Sequence, residues 1–233
     1  MCGRYVLKAE KEAIEKEFDS IVEQAKQAEQ LNHPRFNIAP SQIVLAVRQF
    51  EFERIANGLK WGLIPSWAKE ESIGNRMINA RAESITEKPS FRNAFRSRRC
   101  IVPASGFYEW KQTGGKGAKQ PFYFHLKDKP VFGFAGLWET WKTEEGEEIE
   151  SCTIITTEAN AVLAPVHDRM PIIIKPEDYE AWLDPKNFDT DDLQKFLKPY
   201  PSYEMASHAV SRQVNSPSFD GEELINPVEI NSL

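Results

Sequence analysis

Three cysteines in 233 residues, at positions 2, 100 and 152, are too few and too widely spaced for a disulfide framework or a zinc knuckle. No apolar run approaches the ~18 residues of a transmembrane helix, so no membrane partner is expected. A signal peptide's apolar segment is missing too, because Lys8–Lys16 is mostly charged; the expected address is cytoplasmic. There is no internal repeat, low-complexity tract or convincing linker, which makes one domain over 1–233 the economical reading. The Gly-rich stretch 113–119 lacks the strand-then-helix setting of a phosphate loop and reads as a hairpin loop. No metal and no cofactor are expected.

What is present is an aromatic-rich chain with six Trp and fourteen Phe, 41% hydrophobic and 27% charged, long enough to bury a real core. A net charge of −6 does not favour nucleic acid, but its distribution is uneven. Between Lys60 and Trp110, nine Lys and Arg stand against five Glu, so this stretch carries +4 and the remainder −10. A local basic face on an acidic protein is compatible with a phosphate backbone, since the local field is the one a ligand meets.

The chain is organised around Met1-Cys2-Gly3-Arg4-Tyr5. Cys2 is small enough for Met1 to be trimmed in front of it, leaving an α-amine and a thiol on one residue. These titrate near ~8 and ~8.5, so both are partly reactive at neutral pH. Such a 1,2-aminothiol forms an imine with an aldehyde and then closes to a thiazolidine; it can also attack an amide with its own amine as base. Gly3 permits close backbone approach, Arg4 suits phosphate or carboxylate, and Tyr5-Val6-Leu7 reads as a strand that anchors the terminus.

Lys8–Leu31 reads as a long amphipathic helix, with Ile14, Phe18, Ile21, Val22, Ala25 and Ala28 on its apolar face. Strands are expected at Ile43–Arg48, Phe52–Leu59, Cys100–Ala104, Phe122–Leu126, Val131–Trp141 and Ser151–Thr157, with Cys100 and Cys152 as buried small hydrophobes. Trp61 and Trp67 flank a Pro65 bend: packed, they are core; exposed, Trp67 is a stacking platform for a base. Pro89–Arg99 reads as a short helix with Phe91 and Phe95 on one face and Arg92, Arg96 and Arg99 on another. That basic face is either simply solvated or a single-strand groove. Glu109 stands between Tyr108 and Trp110 on a strand. Facing inward it would be desolvated, with a pKa raised toward an acid/base value; facing outward it would be idle. Glu158–Ala164 reads as a short helix. His167-Asp168-Arg169 follows in a Pro-bounded loop, either a catalytic cluster or a hydrogen-bonded turn. His33 reads as a loop residue rather than a ligand, and His208 as structural. Together these elements predict an α+β fold: a single domain on a curved, barrel-like, mostly antiparallel β-sheet core with flanking helices.

The blocks MCGRY (1–5), NIAP (37–40), WGLIPSW (61–67), NARAES (79–84), RRCIVPASGFYEW (98–110) and HDRMP (167–171) resemble the SRAP family, the SOS-response-associated peptidase-like proteins, over nearly the whole chain. The resemblance implies that Met1 is removed and that Cys2 is the nucleophile. Its implied substrate is an abasic site in single-stranded DNA, whose opened sugar presents an aldehyde, and the product is a thiazolidine DNA–protein crosslink. On the same ground Asn79 would position the Cys2 terminus, with Glu109 and His167 as the other catalytic residues. Arg4, Arg81 and Trp67 would contact phosphates and wedge bases; Gly3 and Pro40 join the DNA-binding set, and Asp168 and Arg169 support the pocket. The implied protein is a monomer, nucleoid-associated when on DNA, with strand cleavage by β-elimination as a side reaction. Two other readings stay open: an N-terminal-cysteine peptidase or amidase, and a non-catalytic single-strand-binding module.

Overall fold

The computed structural model describes residues 2–23, 33–51, 53–114 and 119–229. In chain order, β1 (Tyr5–Leu7) is followed by α1 (Lys11–Phe18), β2 (Ile21–Val22), β3 (Arg35–Ile38), β4 (Ile43–Phe50), β5 (Glu53–Trp61), β6 (Asn79–Arg81) and α2 (Arg92–Ser97). Then come β7 (Arg99–Ala104), β8 (Gly106–Gln112), β9 (Lys119–Leu126), β10 (Phe132–Lys142), β11 (Glu148–Glu158), β12 (Arg169–Pro171) and β13 (Ile173–Ile174). The chain ends with α3 (Tyr179–Leu183), α4 (Thr190–Gln194) and β14 (Met205–Ala209). Among the described residues no helix is long and apolar enough to cross a membrane.

β4, β5, β11, β10 and β7 close into a barrel. Every neighbouring pair is antiparallel except β5–β11, where Lys60 and Trp61 run parallel to Ser151 and Cys152 and seal the ring. Burial explains the composition of these strands. Val44–Arg48 and Ser151–Thr157 are each buried without a break, as strands covered on both faces require. A second sheet, in the order β14-β9-β8-β1-β3, carries the amino terminus as an interior strand. A three-residue terminal strand would fray on its own. Here Tyr5, Val6 and Leu7 are all buried, each contributing about 1.5–3 kcal/mol. The Tyr5 ring meets Trp61 and Phe134 edge-on, with centroids at 5.4 and 5.8 Å. The terminus is thereby bolted to the barrel core.

The expected sheet is present, with helix reduced to short pieces. The long helix read over Lys8–Leu31 stops at Phe18. Asp19 turns left-handed at φ 47°, its N–H bonds to Glu15 O, and the β-branched pair Ile21-Val22 joins β5 as a parallel strand. Ala25 and Ala28 lie outside the described residues. Glu158–Ala164 is not a helix either. Glu158 is the last residue of β11, opposite Arg169, and only a turn from Asn160 to Ala164 is helical in its bonding. Of the two tryptophans around the bend, Trp61 is fully buried with its Nε1 on Ile78 O, while Trp67 is 58% exposed.

That bend depends on two glycines. Gly62 has φ +132°, and a Cβ there would lie 2.6 Å from Gly74 O. Gly62→Ala should therefore cost about 2 kcal/mol or more, lowering Tm by roughly 4–8 °C. Thermal unfolding checks this, and an unchanged Tm would contradict it.

Candidate active site

The site begins with strand register. Tyr5 lies opposite Phe107 and Val6 opposite Gly106, and the Tyr108 N–H continues the ladder to Arg4 O at 3.0 Å. Counted on, the same register sets Gly3 across from Glu109, with Cys2 next in line. The Cys2 thiol is completely buried; the Arg4 N–H donates to its sulfur, while burial and the nearby Glu109 charge push its pKa above the ordinary thiol value.

Glu109 faces inward and is 3% exposed. It shares a strand face with Phe107, whose ring packs on Phe124 and Phe134. Burial is the main cause that raises its carboxyl to about 7, and the Asp168 charge pushes the same way. Of the two orientations open in the sequence, the structure shows the inward, desolvated one.

His167 arrives from the other side of the chain. Its N–H bonds to Leu163 O, closing the turn after β11. Its Nδ1 accepts the Arg169 N–H at 3.0 Å, which leaves the proton on Nε2, and Nε2 stands 4.0 Å from Glu109 Oε2. Asp168 Oδ1 is 3.1 Å from Nδ1, but this carboxylate is 88% exposed and solvated. Burial lowers the His167 pKa, so the ring is neutral at pH 7. The 4.0 Å separation exceeds a hydrogen bond; a substrate oxygen or nitrogen placed between the two groups can exchange protons with both.

β6 and β12 flank the far end of β11, pairing at Ile154–Thr156 and Thr156–Glu158. Asn79 opens β6 and is tied to the sheet: its Nδ2 donates to Ile78 O at 2.9 Å and to Ile154 O at 3.5 Å. Its Oδ1 is buried and has no hydrogen-bond partner among the described residues. An orphan acceptor costs about 1–3 kcal/mol, and an amine donor would satisfy it.

The residues predicted to bind DNA divide into two groups. Trp67, Arg81 and Asp168 are exposed, and Gly3 and Pro40 are half-buried. Arg4 and Arg169 are already engaged. Arg4 Nη1 donates to Asn37 Oδ1 (2.8 Å) and Val214 O (2.7 Å). Arg169 forms a bidentate pair with Glu83 (2.6 and 2.9 Å) and also donates to Thr156 O. Arg169 thus holds the turn after β6 against the His167 loop, as a pocket-supporting residue would. The sequence reading passed over Asn37 of the NIAP block. Its Nδ2 donates to Val214, Ser216 and Phe219 carbonyls, strapping the carboxy-terminal segment over Arg4. Its place in the NIAP block is the one sequence signal for it.

A raised carboxyl pKa is also a stability statement. Relative to an unfolded value of 4.5, Glu109 contributes stability that is full below pH 4.5 and is lost as pH rises through about 7. Glu109→Gln should remove this loss, gaining on the order of 3 kcal/mol relative to wild type between pH 4 and pH 8. Denaturant unfolding at both pH values checks it; parallel curves would contradict it.

Three comparisons bear on this arrangement. The family described as "SOS response associated peptidase (SRAP)" matches residues 1–217. The abasic site processing protein YoqW of Bacillus subtilis is 47% identical, over 97% of this chain and 99% of its own. The abasic site processing protein HMCES of Gallus gallus is 32% identical, over 76% of this chain and 59% of its own. A crystal structure of a protein from Bacteroides thetaiotaomicron superposes with a TM-score of 0.88 at 27% identity, covering 98% of this chain and all of that one. By sequence and by fold, the chain belongs to the SOS response associated peptidase family.

Proposed function

We propose that this chain captures abasic sites in single-stranded DNA by a covalent bond to Cys2, acting after Met1 is removed. The observation that carries the reading is Glu109: a buried carboxyl with a pKa near 7, held by strand register beside a terminal aminothiol, with a neutral imidazole across from it. The names of the relatives point to the same substrate.

The chemistry follows from the protonation states. The thiol is protonated, so the amine is the first nucleophile. Its nitrogen attacks the aldehyde carbon of the opened sugar. Glu109, near half-ionised at neutral pH, takes the amine's proton or gives one to the ring oxygen as the sugar opens. Water leaves the carbinolamine with proton exchange at Glu109 or His167 Nε2. The sulfur then adds to the imine carbon and its proton passes to nitrogen, so aldehyde and aminothiol give thiazolidine and one water. Asn79 Oδ1, the orphan acceptor, orients the amine. Exposed Trp67 offers a stacking face for a neighbouring base. A peptidase would need its thiol ionised, and burial works against that.

Crosslinking kinetics test the proposal. Glu109→Gln should slow adduct formation by about 100-fold or more and erase the inflection near pH 7, with DNA affinity kept. Cys2→Ser should abolish the stable product. A wild-type rate in Glu109→Gln would remove Glu109 from the chemistry, and a stable adduct in Cys2→Ser would remove the sulfur.

A further inference from the structure

A second surface, outside the pocket, sets exposed arginines beside an exposed aromatic ring. α2 presents Arg92 and Arg96, one helical turn apart and both exposed. Facing them is Phe188, an aromatic ring 54% exposed to water. Together with Thr86, Asn93 and Thr190 they line a cavity of about 550 Å³. None of these lining residues is acidic. Of the carboxylates on the adjoining helix, Asp189 accepts from the Asp191 and Asp192 N–H groups and Asp192 pairs with Lys195 at 2.7 Å, while Asp191 is exposed and stands outside the lining.

The two walls of this cavity are fastened together by Arg99. The sequence placed this residue on the exposed basic face; the structure buries it at 4% exposure. Its Nη1 donates to Phe95 O and Arg96 O at the end of α2 (2.8 and 2.7 Å). Its Nε donates to Trp182 O at 2.7 Å, and its Nη2 to Asp184 O and Asn187 O. Five carbonyl contacts from one guanidinium hold the loop that carries Phe188 against the helix that carries the exposed arginines. The groove is therefore preorganised, and binding need not bring its walls together.

We infer that this groove binds the single strand beyond the abasic site, Arg92 and Arg96 holding phosphates and Phe188 stacking a base. The inference rests on the single-strand reading above. Its reach is sound: Thr86 on the groove wall lies five residues past Arg81, which the extended chain cannot carry further than about 18 Å. Guanidiniums beside an exposed ring, with no acid in the lining, fit a nucleic-acid strand better than an acidic peptide, because stacking needs a base.

The experiment uses the full-length, Met1-trimmed protein and two abasic oligonucleotides, one confined to the pocket and one with long homothymidine flanks on both sides. For the long strand, Arg92→Gln with Arg96→Gln should lower the slope of log affinity against log salt by about 1.4, two phosphates at roughly 0.7 each. Phe188→Ala should weaken binding of the long strand roughly 5- to 150-fold. Binding of the short oligonucleotide, and the crosslinking rate at saturating DNA, should stay at wild-type values. An unchanged salt slope and an unchanged affinity for the long strand would overturn the groove, as would equal losses on the short and long oligonucleotides. If wild type binds the long strand through these residues but forms no crosslink, the covalent proposal fails and the groove stands.

Discussion

The pairing of β1 with β8 is the constraint on which the site depends. It fixes a chain terminus, ordinarily the least ordered part of a domain, within reach of a buried carboxyl. Three buried residues accomplish this. Tyr5 is locked against Trp61 and Phe134, Val6 packs on one face of the second sheet in a cluster with Tyr108 and Tyr123, and Leu7 joins the main core. Because the anchor begins three residues after Cys2, the backbone has little freedom left at the proposed nucleophile. Orientation is thus settled during folding, and the reaction need not repeat that ordering.

The same burial sets the electrostatics. Desolvation raises Glu109 into the neutral range, keeps His167 uncharged and keeps the Cys2 thiol protonated. All three shifts disfavour charge, so at neutral pH the pocket holds groups that exchange protons readily without any being a strong ion. That state suits imine chemistry, in which the amine must be neutral and water must leave under acid assistance. It disfavours thiolate chemistry on an amide. The arrangement costs stability at Glu109 and at the orphan Asn79 oxygen, as expected where function overrides packing.

Much of this was legible in the sequence wherever the signal was local. The strand at Tyr5–Leu7, the buried Cys100 and Cys152, and the strand around Glu109 follow from composition and alternation, and each is found. What the sequence left open was set by distant partners. Whether Glu109 faces in depends on which side of β8 meets the barrel. Which tryptophan is buried depends on the close approach of Gly62 and Gly74. Arg99 and Arg92 carry the same side chain in one short stretch, yet one is buried under five carbonyls contributed partly by residues 182–187, and the other is exposed. Arg169 reads as a pocket support, but the partner it uses for this, Glu83, lies 86 residues away and could not be named from the sequence. The helix over-extended past Phe18 shows the opposite failure: a 3.6-residue period continued by chance across a left-handed turn into a β-branched pair.

The most direct test of the central claim is intact-protein mass spectrometry before and after mixing with a single-stranded oligonucleotide that carries one abasic site, with no reducing agent present. The expected result is a protein lacking Met1 that gains the mass of the oligonucleotide less one water. A protein lacking Met1 that forms no adduct, or forms one only when a reductant traps an imine, would contradict it.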